Sequence, residues 1–483
     1  MRNRSQQPGG KSQTPQKTLV RSEGVSRFAE DVFLVSLLVL SIPGLLFAQQ
    51  TLQPSPITLQ QAINIALEKN PERKAALADT RAATASVQEA RSVLLPHVTF
   101  SEVATLGNDP VYVFGSKLRQ QRFTAGDFAL NVLNTPGSFG NFATRFGGTW
   151  NLFDSFGSWR AINRAERAKE ATSHQLERTD QEIIFRAVES YYGVLLAKKR
   201  VEVAAETLKT AQAILDRSKN RFESGVVVES DLLSAQVRLS TRKLEVIRAA
   251  NNLAMARAQL GTALGISTET EFDPADALEE RNFPAITLEE AEKEAVEVRP
   301  DLKRMRSEEE AQQQSVAIAK SSFGPRANAF GGWEADNPTF VAGGGGNNWL
   351  AGIEVHLDLF DGGAKRARLS RERALQVKVA AVKEMATDAV RLEVRRAYYD
   401  LDSARHQVEV ARTTIAESQE SLRINQNRYD SGLSTITDLL AAEEEAHRSQ
   451  AEYWEAVYRY HTGYASLELA SGTLNPQSPV VTP

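Results

Sequence analysis

The sequence predicts a mixed α/β membrane protein, in which barrel-type strands lead into very long coiled-coil helices and the whole arrangement occurs twice. Two periodicities and a set of recurring motifs predict this class: apolar residues alternate in some segments and follow a three- and four-residue spacing in others. The 483 residues carry a formal net charge of −4 and no cysteine. This composition disfavours nucleic-acid binding and excludes disulfides and thiolate chemistry.

The N-terminal region has the composition of an export signal. A basic leader precedes the apolar run Val32–Ala48, which Pro43-Gly44 interrupts and a small residue ends. This order predicts a secretory signal peptide over residues 1–48. A single membrane anchor stays open as the alternative, although the run is marginal in length for a membrane span.

Motifs that recur at a constant offset predict two copies of one architecture. The phrases RFESGVVVESDLL and RYDSGLSTITDLL begin at Arg221 and Arg428, 207 positions apart (428 − 221), and the Leu-Phe-Asp motifs at Leu152 and Leu359 keep that offset. The similar openings at Ile57 and Ile286 are 229 positions apart (286 − 57), so the first copy has 22 additional residues (229 − 207) before Leu152.

These offsets define the expected domain organisation. A first repeat covers 49–280, a second covers 281–472, and a flexible tail covers 473–483. In each repeat we expect short helices, then a β-hairpin, then a long helical hairpin. The expected β-hairpins cover 97–153 and 326–360, and the expected helical hairpins cover 155–265 and 362–470.

Each repeat opens with a helix-start signal. Thr58 and Thr287 stand three residues before Gln61 and Glu290, which is the spacing of a capping box. Prolines at 71 and 300 then end each first helix, because the residue before proline avoids the α region. A second helix is expected directly afterwards.

The apolar alternation predicts four strands. In the segment from Trp349 to Leu359, apolar residues occupy every second position, whereas Glu354, His356 and Asp358 lie on the other face. The strands are expected over 97–106, 142–153, 326–335 and 348–360. Their length and two-faced character suit an outer-membrane barrel, and a half-buried sheet in a soluble α+β domain is the alternative.

Two connections lie between these strands. The glycine-rich stretch Gly343–Asn348 is expected to join two strands rather than to hold phosphate, because no helix begins after it. The additional residues of the first repeat fall in a loop over 107–141. In a barrel whose helices mark the periplasmic side, this loop caps the external mouth, where it either helps to close the exit or is an inert surface loop.

A sustained three- and four-residue spacing predicts coiled-coil helices after each β-hairpin. In the second repeat the spacing continues from Val390 to Tyr429 without a slip, and in the first repeat Arg242 is the one charged residue in the apolar register. The acidic run Glu443–Glu445 is expected to be a solvated helix face. Helices of this length cannot lie inside a compact domain.

The recurring phrases are predicted to be the tips of the two helical hairpins. Gly225 and Gly432 follow the descending helices, where a positive φ suits glycine. Ser230-Asp231 and Thr437-Asp438 are expected to begin the ascending helices, because their side-chain oxygens can accept hydrogen bonds from free amides.

No pattern in the sequence indicates catalysis. The six histidines lack the spacing of metal ligands, and neither a nucleophile elbow nor a Walker loop occurs. We therefore expect no catalytic residue, metal or cofactor, and a protein that is not an enzyme. Any energy for transport has to come from a partner.

The chain resembles the TolC-like family of outer-membrane efflux proteins. The resemblance covers about residues 57–472 and rests on the paired helix openings, the Leu-Phe-Asp junctions and the two tip phrases. It implies a homotrimer in which four strands from each protomer close a twelve-stranded barrel in outer-membrane lipid, continued by a periplasmic helical barrel. Independently, four strands leave two open edges, which a membrane does not tolerate, so the chain has to oligomerise.

The resemblance also implies roles for the tips. They dock a periplasmic adaptor protein that links the duct to an inner-membrane pump of the RND, ABC or MFS type. The tip residues concerned are Arg221, Gly225, Asp231, Arg428, Gly432 and Asp438. Asp438 occupies the position that lines the family's pore constriction, although it could instead only cap the ascending helix. Ala441 and Ser434 replace a second acid and a basic tether of the family, which puts a two-ring acidic gate in doubt.

Two functions follow from these expectations. The first is a passive exit duct of a tripartite efflux pump or type I secretion system, located in the outer membrane. The alternative is a periplasmic coiled-coil scaffold without a pore. Nothing in the sequence chooses between drugs, metal ions and polypeptides as the cargo.

Overall fold

The computed structural model describes residues 55–267 and 272–482, so the predicted signal peptide over 1–48 lies outside the described residues. The first half contains short helices, two strands and a long helical hairpin. Its elements are β1 (Ser55–Ile57), α1 (Leu59–Lys69), α2 (Pro71–Ser92), β2 (His97–Gly107), α3 (Pro110–Arg119), a 3-10 turn (Ala125–Phe128), α4 (Leu130–Asn134), β3 (Phe139–Phe153), α5 (Gly157–Glu223) and α6 (Glu229–Ala263).

The second half has the same order of two helices, two strands and two long helices. Its elements are β4 (Phe272–Pro274), α7 (Leu288–Val298), α8 (Pro300–Ser321), β5 (Arg326–Asn337), β6 (Gly346–His356), α9 (Ala364–Asp430) and α10 (Ile436–Ser471). The strands β1 and β4 form a small parallel pair that the sequence did not predict.

The predicted capping boxes are present at both helix openings. Thr58 accepts a hydrogen bond from the Gln61 amide and Thr287 accepts one from the Glu290 amide, while both partner side chains accept from the cap amides. Each of the following helices begins with the predicted proline at its first position. Local sequence therefore determines where these four helices begin.

Four antiparallel strands form one sheet in the order β2-β3-β5-β6. The strands β2 and β6 are its edges, and each uses only one side of its backbone for pairing within the chain. The strand β6 ends at His356 rather than at the predicted residue 360. The reason lies at Asp361, whose carboxylate accepts from the amides of Gly363 and Lys365 and so turns the chain into α9.

The sheet has one apolar and one polar face, as the alternation predicts. Register places Arg145, Glu334 and Asn348 in one row on the polar face. The opposite face carries large apolar side chains, and several are uncovered in the single chain: Trp349 is 80% exposed and Ile353 is 68% exposed. An apolar surface of this kind needs another apolar phase or partner against it.

Two helices dominate the molecule. The helices α5 and α9 have 67 residues each, which corresponds to about 100 Å at the α-helical rise. Helix α5 packs against α6, α8 and α10, and α9 packs against α8 and α10. None of the helices in the described part of the chain is both long and apolar enough to cross a membrane.

The main core surrounds the middle of α5, where Tyr191, Tyr192 and Leu195 pack against Val457 and Tyr464 of α10. Chain segments outside the long helices complete it. Tyr191 donates its hydroxyl hydrogen bond to the Asp276 carboxylate over 2.6 Å. This core joins both halves of the chain.

The segment after α10 corrects one prediction, because over residues 473–482 it is not a free tail. Leu474, Val480 and Val481 are buried in the main core. The Gln181 side chain donates a hydrogen bond to the Gly472 carbonyl just before the segment. Burial of three apolar side chains explains why this stretch is fixed against the helices.

Candidate functional site: the helical hairpin tips

The first tip ends α5 with the predicted glycine turn. Gly225 has a φ of +72°, and its amide donates to the Phe222 carbonyl while the Val226 amide donates to the Arg221 carbonyl. These two bonds form a Schellman motif. The helix α6 begins at Glu229 with Val228 as its cap residue, so the expected start at Ser230-Asp231 is wrong by one position and lacks a side-chain cap.

The second tip has the same glycine turn and a stronger helix start. Gly432 has a φ of +73°, and α10 begins at Ile436 with Thr435 as its cap residue. Asp438 is the third residue of the helix and completes a capping box, accepting from the Thr435 amide over 3.0 Å and from the Thr435 hydroxyl over 2.7 Å. The expected start at Thr437-Asp438 is therefore one position too late.

The Asp438 carboxylate is exposed and is held in its charged form. Hydrogen bonds from the Thr435 side chain and backbone lower its pKa, and the positive charge of Arg428 lowers it further. The carboxylate therefore caps α10 and also places an exposed negative charge at the second tip.

Arg221 joins the two tips. Its guanidinium donates hydrogen bonds to the backbone carbonyls of Tyr429 and Asp430, and it lies 4.8 Å from the centroid of the Tyr429 ring. Tyr429 is buried, and its hydroxyl lies 3.3 Å from the Ser218 hydroxyl. A side chain of the first tip therefore fixes the backbone of the second, which the sequence did not predict.

A small apolar core lies beneath these contacts. Ile214 and Ala235 from the first hairpin pack against Tyr429, Ile436 and Leu439 from the second. The Ser434 hydroxyl is buried and makes no hydrogen bond with the described residues. Arg221 and the Arg217–Asp430 ion pair at 3.3 Å therefore contribute polar contacts between the tips, whereas the Ser434 hydroxyl contributes none.

A buried ion network lies on the ascending helices, and it overturns the expectation for Glu443. Arg242, which interrupts the apolar register, is 1% exposed and donates two hydrogen bonds to Glu443, which is 2% exposed. Glu444 and Glu245 also accept from Arg242. Glu443 is therefore not part of a solvated face.

The partners of Arg242 keep it charged. Burial opposes the charged form, but hydrogen bonds to Glu443 and Glu245 outweigh that effect and raise the pKa of Arg242. Burial, followed by the positive charge of Arg242, lowers the pKa of the neighbouring His447. The network ties α6 to α10 through paired charges, which are costly to separate at a buried position.

Over 55–267 and 272–482, no group of three or more histidine, aspartate and glutamate side chains is arranged to hold a metal ion. Of the six predicted tip residues, Arg221 contacts the backbone of the second tip, and Arg428 lies close enough to Asp438 to lower its pKa.

Comparisons with known proteins agree with this architecture. The sequence profile described as "Outer membrane efflux protein" matches residues 62–266 and 292–473. The chain is 25% identical to the outer membrane protein TolC of Escherichia coli (strain K12) over 87% of this chain and 83% of TolC. It is 22% identical to the alkaline protease secretion protein AprF of Pseudomonas aeruginosa over 86% of this chain and 85% of AprF.

A solved structure shows the same fold. The Campylobacter jejuni CmeC outer membrane channel superposes with a TM-score of 0.74 at 17% identity, covering 87% of both chains. The profile match extends over most of both halves, including the two tips. The chain therefore belongs to the outer membrane efflux protein family.

Proposed function

We propose that this chain is the outer-membrane exit duct of a tripartite efflux pump or type I secretion system. One observation carries the proposal: a four-stranded sheet with an uncovered apolar face continues directly into helices of about 100 Å. β-strands can cross a lipid bilayer only as part of a closed barrel, because every backbone polar group has to be hydrogen-bonded there. Helices of that length are long enough to extend through the periplasm. Residues 1–48 supply the export signal.

The duct is a homotrimer. The edges β2 and β6 pair between neighbouring chains, so that three four-stranded sheets close a twelve-stranded barrel in outer-membrane lipid. The long helices of the two repeats continue the barrel through the periplasm. The polar sheet face then lines the pore, and the apolar face with Trp349 and Ile353 contacts lipid.

The partners meet the periplasmic end of the duct. A periplasmic adaptor binds the tips around Gly225 and Gly432, and an inner-membrane pump of the RND, ABC or MFS type supplies the energy. The duct itself is passive, is not an enzyme, uses no cofactor and binds no nucleic acid. Gly225, Arg428, Gly432 and Asp438 are exposed, which supports docking at the tips.

Mass and conductance measurements test the duct. We expect a detergent-solubilised homotrimer that forms ion-conducting channels in planar lipid bilayers. A chain that stays monomeric and fully soluble without detergent would instead be a periplasmic scaffold without a pore.

Neighbouring substitutions on opposite sheet faces sharpen the test. Ile353→Lys places a charge against lipid, which costs about 2–4 kcal/mol near the bilayer midplane, so it should reduce the yield of assembled trimer. Glu354→Lys places the same residue on the pore face and should leave assembly intact. Equal yields from the two variants would contradict the lipid-facing assignment.

Asp438 provides a separate test of the constriction. We propose that three Asp438 carboxylates converge on the pore axis and attract cations. Asp438→Asn keeps an acceptor for Thr435 but removes the charge, so it should reduce cation selectivity without lowering the melting temperature. Thr435→Ala is the matched control, because it breaks the capping box and leaves the charge. Unchanged selectivity in Asp438→Asn, together with a lowered melting temperature, would leave Asp438 as a cap only.

A further inference from the structure

The connection between β2 and β3, residues 108–138, is a folded unit rather than an open loop. It contains α3, the 3-10 turn and α4. Lys117 and Asp127 form an ion pair at 2.6 Å, and the rings of Phe114 and Phe128 both pack edge-on against Phe123. These internal contacts order the connection, and contacts with the sheet complete its fold.

This unit folds over the polar face of the sheet. Arg119 donates to the Glu334 carboxylate of β5 over 3.0 Å. The Gln120 side chain donates to Asn141 over 2.8 Å, and Asn141 donates in turn to the fully buried carboxylate of Asp336. Register places Glu334 and Asp336 on the same face as Arg145 and Asn348, opposite to Trp349 and Ile353.

The glycine-rich connection of the second hairpin is shaped to receive this unit. A Cβ atom at Gly346 would lie 1.7 Å from the Arg119 carbonyl oxygen, and one at Gly345 would lie 2.1 Å from the Asn337 side chain. The absence of a side chain at Gly346 lets the end of α3 reach β6, and the absence of one at Gly345 lets the second connection pack against Asn337. The two hairpin connections therefore fit one another.

Several apolar side chains of the unit are exposed. Helix α3 buries Val113 and Ser116, whereas Val111 is 80% exposed. Leu118, Phe128 and Leu130 are also exposed. A ring of apolar side chains at the mouth of a pore restricts the passage of water and ions.

We infer that residues 108–138 form a second constriction, seated on the pore-facing side of the sheet at the end remote from the helices. This inference rests on the proposed duct, because the polar face has to line the pore. Arg119 on Glu334 and Gln120 on Asn141 hold the unit in place. Three copies narrow the external mouth independently of the periplasmic tips.

Thiol labelling from outside the cell tests this constriction without involving the tips. The chain has no cysteine, so Asn328→Cys gives one thiol on the polar face near the helical end of the sheet. The probe is a polyethylene-glycol maleimide added to intact cells. The labelling rate is compared between the full chain and a variant in which the connection 338–345 replaces residues 108–138.

We expect the Asn328→Cys thiol to be labelled severalfold faster in the replacement variant. Arg119→Glu, which sets two carboxylates against each other, should also raise the rate in an otherwise intact chain. Arg122→Glu is the matched control, since Arg122 lies over the Phe139 ring rather than on Glu334. The exposed position Val341→Cys, in the second connection, checks that surface labelling is equal in all backgrounds.

The outcomes separate the two proposals. Equal Asn328→Cys labelling in the full chain, the replacement variant and Arg119→Glu would overturn the constriction and leave the duct intact. Labelling that occurs only in broken cells, even for the replacement variant, would overturn the duct itself, because the polar face would then not line a pore open to the outside.

Discussion

At the residue scale, the Arg242 network gives the clearest stability prediction. Arg242→Met leaves Glu443 as a buried carboxylate without its main partner, and breaking a buried ion pair costs about 3–5 kcal/mol. Arg242→Met should therefore lower the melting temperature of the helical region, as measured by circular dichroism. Lys243→Met, at the adjacent exposed position, should have little effect.

The double variant Arg242→Met/Glu443→Leu should recover most of this loss, because Arg238 and Glu444 can still pair at 2.6 Å. A double variant as unstable as Arg242→Met would show that the network contributes packing rather than charge compensation. The apolar register identified Arg242 as a seam position. It could not identify the partner, because Glu443 lies 201 residues away and only the tertiary arrangement of the helices brings the two together.

At the element scale, backbone conformation determines the effect of substituting the two tip glycines. Gly432→Ala places a Cβ at a φ of +73°, which costs about 1 kcal/mol for an L-residue, and Gly225→Ala should behave alike. Gly193→Ala is the matched control, since Gly193 lies inside α5 with open space around it. Alanine there should stabilise the helix by up to about 1 kcal/mol. Thermal unfolding checks whether Gly225→Ala and Gly432→Ala lower the melting temperature and Gly193→Ala raises it.

Elements whose determinants are local could be predicted from the sequence. The capping boxes at Thr58 and Thr287, the proline starts and the glycine turns each depend on residues within one helical turn, and all are present. The end of β6 was predicted too late because Asp361 competes for the chain by capping α9. The fold of 108–138 could not be predicted, since it depends on the sheet beneath it.

At the scale of the whole molecule, the main core predicts a pH dependence. Burial raises the pKa of Glu468 to about 7, although a hydrogen bond with Ser478 opposes this. A folded pKa above the ordinary 4.5 means that the free energy of unfolding is highest below about pH 4.5 and falls as the pH rises to about 7. Glu468→Gln should therefore be more stable than the wild type at about pH 8, with a smaller difference at about pH 5.

His461 makes the free energy of unfolding depend on pH in the opposite direction. The test therefore compares variants at each pH rather than the pH profile of the wild type alone. Burial lowers the pKa of His461 to about 4, and its contribution is present above the ordinary 6.5 and lost as the pH falls. The difference in thermal midpoint between the wild type and Glu468→Gln cancels this term. Glu452→Gln, on the exposed side of α10, controls for the loss of one charge. A difference that does not change with pH would contradict the prediction.

The packing of residues 474–481 has a consequence for the order in which the chain folds. The Tyr192 hydroxyl of α5 faces the Val480 carbonyl across 288 residues of sequence, so the core of the first half remains open until the end of the second half is available. Contacts at such separations form slowly, because a long loop has to close first. We therefore expect the newly exported chain to expose apolar surface on α5 until residues 474–481 are available, and we expect a chaperone that shields α5 during that interval to raise the yield of folded protein.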